Sequence, residues 1–202
     1  MNKTRSALAF LAFAGIPAII VWLKMPFLAF IVLWILSLIW WRRQPLSLQW
    51  PKSEALRGVF LRAAGVALIL GVGLFFFRPE LMFAFPLAMP ERYALVMLIY
   101  PFLSALPQEI VFRPLFWSWL SHLSPHGRIL WNALAFGVAH SVFMNPIAVV
   151  LSTLGGIVLA YHYERHQDVV LVWIEHVLYG WLVFTLGWGT YFFHGSIRMA
   201  GG

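Results

Sequence analysis

Residues Tyr93–Leu120 decide the fold class, and they read YALVMLIYPFLSALPQEIVFRPLFWSWL. Glu109 and Arg113 are the only charged residues in this stretch. A transmembrane helix needs about 20 predominantly apolar residues, so the stretch is long enough to cross a bilayer. Pro107 and Pro114 cannot donate backbone hydrogen bonds, and we expect them to kink or break the helix.

The rest of the chain has the same apolar character. Of its 202 residues, 62% are hydrophobic and 10% are charged, and the mean hydropathy is +0.83. Soluble domains contain about 45–50% apolar and about 25% charged residues. The composition therefore excludes a soluble enzyme, a disordered chain and a coiled coil. The long uninterrupted apolar runs also differ from the alternating pattern of an outer-membrane barrel.

Seven apolar runs predict transmembrane helices, so we expect an all-α, polytopic transmembrane helix bundle. The predicted spans are Ala7–Leu23, Pro26–Trp41, Gly58–Phe77, Tyr93–Leu120, Ile129–Met144, Ile147–Tyr163 and Val169–Leu186. An eighth span would need the aromatic tail from Trp188 to His194, which is short. No repeat or linker divides the chain, so residues 1–202 are predicted to form one integral-membrane domain of seven to eight spans.

The distribution of basic residues predicts the orientation in the membrane. The chain has 14 Lys and Arg against 7 Asp and Glu, a net charge of +7. The short loops hold more Lys and Arg on the inside when the N-terminus is cytoplasmic, which is the expected topology. We interpret the positive charge as attraction to anionic lipid headgroups, with the bilayer as partner and no nucleic acid. The chain has no cysteine, which excludes a disulfide, a thiolate metal site and a cysteine nucleophile.

Few ionisable side chains fall inside the predicted spans, and each is a functional candidate because a charge in the bilayer is costly. Those deep in the spans are Glu109, Arg113, His140, Glu175 and His176, and Arg62 lies near a span end, where it can reach the headgroups. Glu109 and Arg113 lie four residues apart and share a helix face. Helical rise puts Glu109, His140 and His176 at a similar depth. Glu175 points about 100° away from His176, so we expect it to pair with Arg113 or with a base at headgroup level.

A carboxylate, a guanidinium and two imidazoles at one depth are compatible with three kinds of chemistry. A carboxylate and an imidazole can activate water, while a second imidazole donates to an oxyanion. Glu109, His140 and His176 could instead bind Zn²⁺. The same groups could form the proton relay of a small transporter. The chain shows no inverted repeat of the kind that many transporters carry.

Three motifs, in order and on separate predicted spans, resemble those of the CPBP family, which includes CAAX-type proteases and bacteriocin-processing or immunity proteins. The family motifs are Glu-Glu-x-x-x-Arg, Phe-x-x-x-His and His-x-x-x-Asn. The corresponding stretches here are QEIVFR at 108–113, FGVAH at 136–140 and HVLYG at 176–180. The resemblance covers about residues 93–190, which carry the motif helices. It implies a glutamic-type intramembrane endopeptidase with about eight helices.

The resemblance also implies a mechanism and a substrate class. Glu109 and His140 would activate water, Arg113 would position Glu109, and His176 would stabilise the oxyanion. No metal or other cofactor is expected. The substrate would be a membrane-anchored protein, cleaved in or near the membrane close to its C-terminus. That end would be a CAAX-type terminus or a sorting tail, as in the myxosortase-like branch. The expected location is the bacterial inner (plasma) membrane.

Two positions depart from the family motifs. Gln108 replaces the first glutamate and is neutral, so Glu109 would take the role of base while Gln108 orients substrate or water. Gly180 replaces the asparagine that would assist the oxyanion. Three side chains could supply that donor instead: Tyr179, Asn132 and Asn145. The departures also leave open a catalytically silent relative that acts as an immunity or scaffold protein.

Overall fold

A computed structural model describes residues 11, 15–16, 18–20, 22–23, 25, 27–44 and 50–192. Most of the predicted span Ala7–Leu23 and the end of the aromatic tail lie outside the described residues. The helices are α1 (Leu28–Arg43), α2 (Ser53–Phe77), α3 (Ala84–Ala88), α4 (Pro90–Trp119), α5 (Pro125–Ala139), α6 (Pro146–His166) and α7 (Val169–Leu186). The described residues contain no strand, and the predicted all-α fold is confirmed.

Of the helices in the described residues, α2, α4, α6 and α7 are long and apolar enough to cross a membrane. Large apolar side chains cover their outward faces, and Phe76 of α2 is 75% exposed. Such a surface is stable against lipid rather than against water, which supports an integral membrane protein. Helices α1 and α5 have 16 and 15 residues. A perpendicular crossing takes about 20 residues, so the number of spans stays a prediction.

Helix α4 is irregular around its prolines, as expected. Wide π-type turns occupy Pro101–Ala105 and Val111–Leu115. Side chains of three other helices donate to carbonyls of α4: Trp173 to Pro101, Ser37 to Pro107 and Asn132 to Phe112, at 2.7, 3.1 and 2.5 Å. Because lipid offers no hydrogen bonds, irregular backbone is stable in a membrane only with such partners. These bonds fix α4 against α7, α1 and α5.

Helices α5 and α6 approach closely because small residues line their contact. A Cβ added to Gly137 of α5 would overlap Thr153 of α6. Ser152, Gly156 and Ala160 follow each other at four-residue steps on α6, and all three are buried. Close helix packing through small residues is typical of membrane bundles. Near the end of α5, the Phe136 ring meets the His176 ring of α7 with centroids 5.5 Å apart.

Helix α5 ends one residue before His140, so the predicted span to Met144 is too long. Residues His140–Phe143 form a tight 3₁₀ turn, and Met144 adopts a left-handed conformation with φ 52°. The Asn145 side chain then accepts a hydrogen bond of 2.9 Å from the first turn of α6. This cap starts the next helix and reverses the chain. His140 therefore lies in the turn between α5 and α6.

Candidate active site

Glu109 is fully buried in α4, and both of its carboxylate oxygens have partners. Arg113 Nε donates to Oε2 over 2.7 Å, and His176 Nδ1 of α7 lies 2.7 Å from Oε1. Because an ionised carboxylate only accepts hydrogen bonds, the proton is on His176 Nδ1. Glu109 thus orients an imidazole in the way that the aspartate of a Ser-His-Asp triad does.

Arg113 is also fully buried, and α5 holds it from the other side. Its Nη1 donates to Asn132 Oδ1, and Asn132 Nδ2 donates to the Phe112 carbonyl over 2.5 Å. The guanidinium carbon lies 5.4 Å from the centroid of the Phe136 ring, a cation–π arrangement. Asn132 was a candidate oxyanion donor, but its amide group is engaged here. Its position instead supports Arg113.

We expect Asn132→Leu to lower the free energy of unfolding by roughly 2–6 kcal/mol, because one buried donor and one buried acceptor lose their partner at about 1–3 kcal/mol each. The measurement is unfolding of the purified protein in mixed micelles. Gln44→Leu, at the exposed residue that follows α1, is the control and should change little. Equal stability of the two variants would contradict the role of Asn132.

A mostly apolar cavity of about 240 Å³ lies beside this buried cluster. Its ionisable and amide lining residues are Tyr100, Gln108, His140, His176 and Tyr179. Glu109 and Arg113 do not line it. The Glu109–Arg113 pair is therefore buried behind the cavity wall, while His176 both lines the cavity and bonds Glu109.

His140 and Gln108 both line this cavity. His140 Nδ1 lies 2.7 Å from the Phe136 carbonyl, which makes Nδ1 the donor and Nε2 the acceptor of the neutral ring. Gln108 Nε2 donates to Ser104 Oγ over 2.8 Å. Gln108 Oε1 is buried and has no hydrogen-bond partner in the described part of the chain. A buried oxygen without a partner, on a cavity that a basic nitrogen also lines, is a suitable place for a water molecule.

The hydrogen bonds bear on the roles that we expected for Gln108 and Glu109. Glu109 was expected to activate water with His140, but its oxygens are held by Arg113 and His176. Gln108 shares the cavity wall with His140 instead. Among the described residues, no three His, Asp or Glu side chains are grouped as metal ligands. The alternative Zn²⁺ set of Glu109, His140 and His176 is therefore not assembled.

Glu175 belongs to a second buried polar cluster. Its carboxylate accepts from Arg62 Nε at 2.8 Å, from His162 Nδ1 at 2.5 Å and from Tyr179 Oη at 2.7 Å. Of the two expected kinds of partner, Arg113 is wrong, and the base near a span end is confirmed as Arg62. Arg62 therefore pairs with Glu175 rather than only reaching for headgroups. The Tyr179 hydroxyl is committed to Glu175, which leaves its ring to line the cavity. The four-residue spacing of Glu175 and Tyr179 was the sequence signal for this contact.

Residues 90–182 match the family model described as type II CAAX prenyl endopeptidase Rce1-like. The matched range contains all three motifs. Searches of curated proteins and of solved structures found no match. The family match supports the resemblance to the CPBP family that the motifs indicated.

Proposed function

We propose that this chain, whose residues 90–182 belong with the Rce1-like CAAX endopeptidases of the CPBP family, is an intramembrane endopeptidase. One observation carries the proposal: a fully buried Glu109–Arg113 pair orients His176 toward an apolar cavity that His140 and Gln108 also line. An apolar cavity with a few convergent polar groups is typical of a binding site. The proposed substrate is a membrane-anchored protein, cleaved close to its C-terminus.

His140 is the general base in the first step. A water molecule held between His140 Nε2 and Gln108 Oε1 attacks the carbonyl carbon of the scissile bond. Its proton moves to His140, and the carbonyl π electrons move onto the oxygen. Gln108 is neutral, so it orients the water without taking the proton. The new C–O bond gives a tetrahedral intermediate with one negatively charged oxygen.

His176 stabilises that oxygen, and Glu109 positions the His176 ring. When both ring nitrogens of His176 carry protons, the cluster of Glu109, Arg113 and His176 has a net charge of +1. The oxyanion neutralises this charge in a medium of low dielectric constant, where the attraction is strong. The electron pair on the oxyanion then re-forms the C=O bond, the C–N bond breaks, and the proton on His140 moves to the leaving nitrogen. The products are a carboxylic acid and an amine.

The test is cleavage by the purified protein in liposomes, read by mass spectrometry. Two substrate classes are compared: peptides with a prenylated CAAX-type end, and tails with a short motif, an apolar span and a basic end. We expect the wild type to cut one class at a defined bond, with or without a chelator. Cleavage of the second class would support the sorting branch. Gradient-driven flux without cleavage would support a transporter.

Gln108→Glu separates an active enzyme from a silent relative. We expect the wild type to be active and Gln108→Glu to remain active, because His140 already supplies a base. Gln44→Glu is a control for the added charge, since Gln44 is exposed and outside both clusters. A wild type that cuts nothing, together with a cutting Gln108→Glu variant, would show that the natural chain is a silenced relative.

A further inference from the structure

Tyr100 of α4 fills the space that Gly180 of α7 leaves open. A Cβ built on Gly180 would overlap the hydroxyl oxygen and two ring carbons of Tyr100. The asparagine of the family motif would therefore collide with Tyr100 at this position. The Tyr100 side chain and a side chain at position 180 would therefore occupy the same space. This chain has the phenol of Tyr100 there, whereas the family motif has the amide of an asparagine.

The Tyr100 side chain lies among the groups that surround the proposed reaction. It lines the same cavity as His140 and His176. Its ring meets the His176 imidazole edge-on with centroids 6.0 Å apart, and it meets Phe184 in the same way at 5.5 Å. The structure gives its hydroxyl no hydrogen bond to another described residue. The hydroxyl therefore remains available as a donor in the cavity.

The face of α4 that carries Tyr100 also carries the residue that holds the water. Tyr100, Ser104 and Gln108 follow each other at four-residue steps, which places them on one helix face. All three line the cavity. On α7, His176 and Gly180 are likewise four residues apart. The reacting carbonyl would thus lie between the Tyr100–Gln108 face and the His176–Gly180 face.

We propose that the Tyr100 hydroxyl donates a hydrogen bond to the oxyanion beside His176, in place of the motif asparagine. The inference rests on the proposed endopeptidase function. When water attacks, the carbonyl π electrons move onto the oxygen, and Tyr100 keeps its proton while donating to that oxygen. Tyrosine hydroxyls serve as oxyanion donors, and such preorganised donors act strongly where water is excluded. The Gly180 departure is then a substitution of one donor by another.

Tyr100→Phe tests the donor, because it removes the hydroxyl and keeps the ring against His176 and Phe184. We expect kcat to fall by about 10²-fold, with KM and thermal stability unchanged, because loss of one oxyanion donor costs on the order of 10²–10³ in kcat. Tyr93→Phe is the matched control. Tyr93 lies on the same helix and bonds Thr185 at 2.8 Å outside the cavity. A merely structural Tyr100 would give two equally active variants.

A second variant exchanges the donors. Tyr100→Ala should be as weak as Tyr100→Phe or weaker, and Gly180→Asn alone should fail because its side chain overlaps Tyr100. The double variant Tyr100→Ala/Gly180→Asn restores the motif, and we expect kcat at least about tenfold above Tyr100→Ala.

Full activity of Tyr100→Phe would overturn the inference while the endopeptidase function stands. A folded wild type that cleaves no substrate would overturn both.

Discussion

Glu109→Gln is expected to lower kcat by about 10³-fold or more, although Glu109 does not line the cavity. The carboxylate accepts the Nδ1 proton of His176, so it fixes the orientation of the ring. An amide at this position can turn its NH₂ group toward Nδ1, which favours the wrong tautomer of His176. The variant also loses the negative charge that stabilises a doubly protonated ring. The measurement is kcat on the substrate that the wild type cleaves.

Loss of folding must be separated from loss of chemistry in this variant. Removing one partner of a buried ion pair costs about 3–5 kcal/mol, while replacing both by neutral groups is often tolerated. We therefore expect Glu109→Gln to be unstable and Glu109→Gln/Arg113→Met to recover much of the stability. The double variant should stay inactive. If it regained activity together with stability, Glu109 would be a structural residue only.

Glu175→Gln is the matched control for the Glu109 variants. Glu175 is as buried as Glu109 and lies in the same helix bundle. It also accepts hydrogen bonds from an arginine and a histidine. Because its partners Arg62 and His162 do not line the cavity, we expect lower stability with a near wild-type kcat. Equal losses of kcat in the Glu109 and Glu175 variants would indicate a general effect of disturbed packing.

The sequence predicted the helices and the motif residues because both depend on local patterns. Apolar runs of sufficient length give α2, α4, α6 and α7, and the prolines of α4 predict its irregular turns. The end of α5 at Ala139 was missed although Asn145 followed by Pro146 is a helix-start signal. Here the apolar run continued past the true helix end and masked the local signal.

Contacts between distant helices were not predictable from the same patterns. Gln108 and Glu109 are adjacent in sequence, and only the packing of α4 decides which of them faces the cavity. Tyr100 meets Gly180 because α4 and α7 cross at that level. The periodic pattern of apolar residues in a sequence does not predict where two helices cross. Arg62 reaches Glu175 from α2 for the same reason. Where a role depends on the direction in which a side chain points, and not only on residue type, it could be assigned only from the structure.

His140→Ala is expected to lower kcat by about 10²–10⁴-fold, the usual contribution of a general base. The variant should fold, because the only side-chain hydrogen bond of His140 in the described structure goes to the Phe136 carbonyl of its own turn. Thermal stability close to that of the wild type would separate this loss from unfolding. His166→Ala is the control, since His166 is exposed at the end of α6 and does not line the cavity.

Added imidazole distinguishes a base from a positioning residue at His140. Alanine leaves space in the cavity wall, and a small neutral base can occupy it and take the proton of the attacking water. The rate of His140→Ala should then rise with imidazole concentration, and stronger bases of similar size should rescue better, as Brønsted behaviour requires. A variant that keeps wild-type kcat would exclude His140 as the base. Rescue of Glu109→Gln by imidazole would also contradict the mechanism, because that variant retains both rings and lacks only the charge that orders one of them.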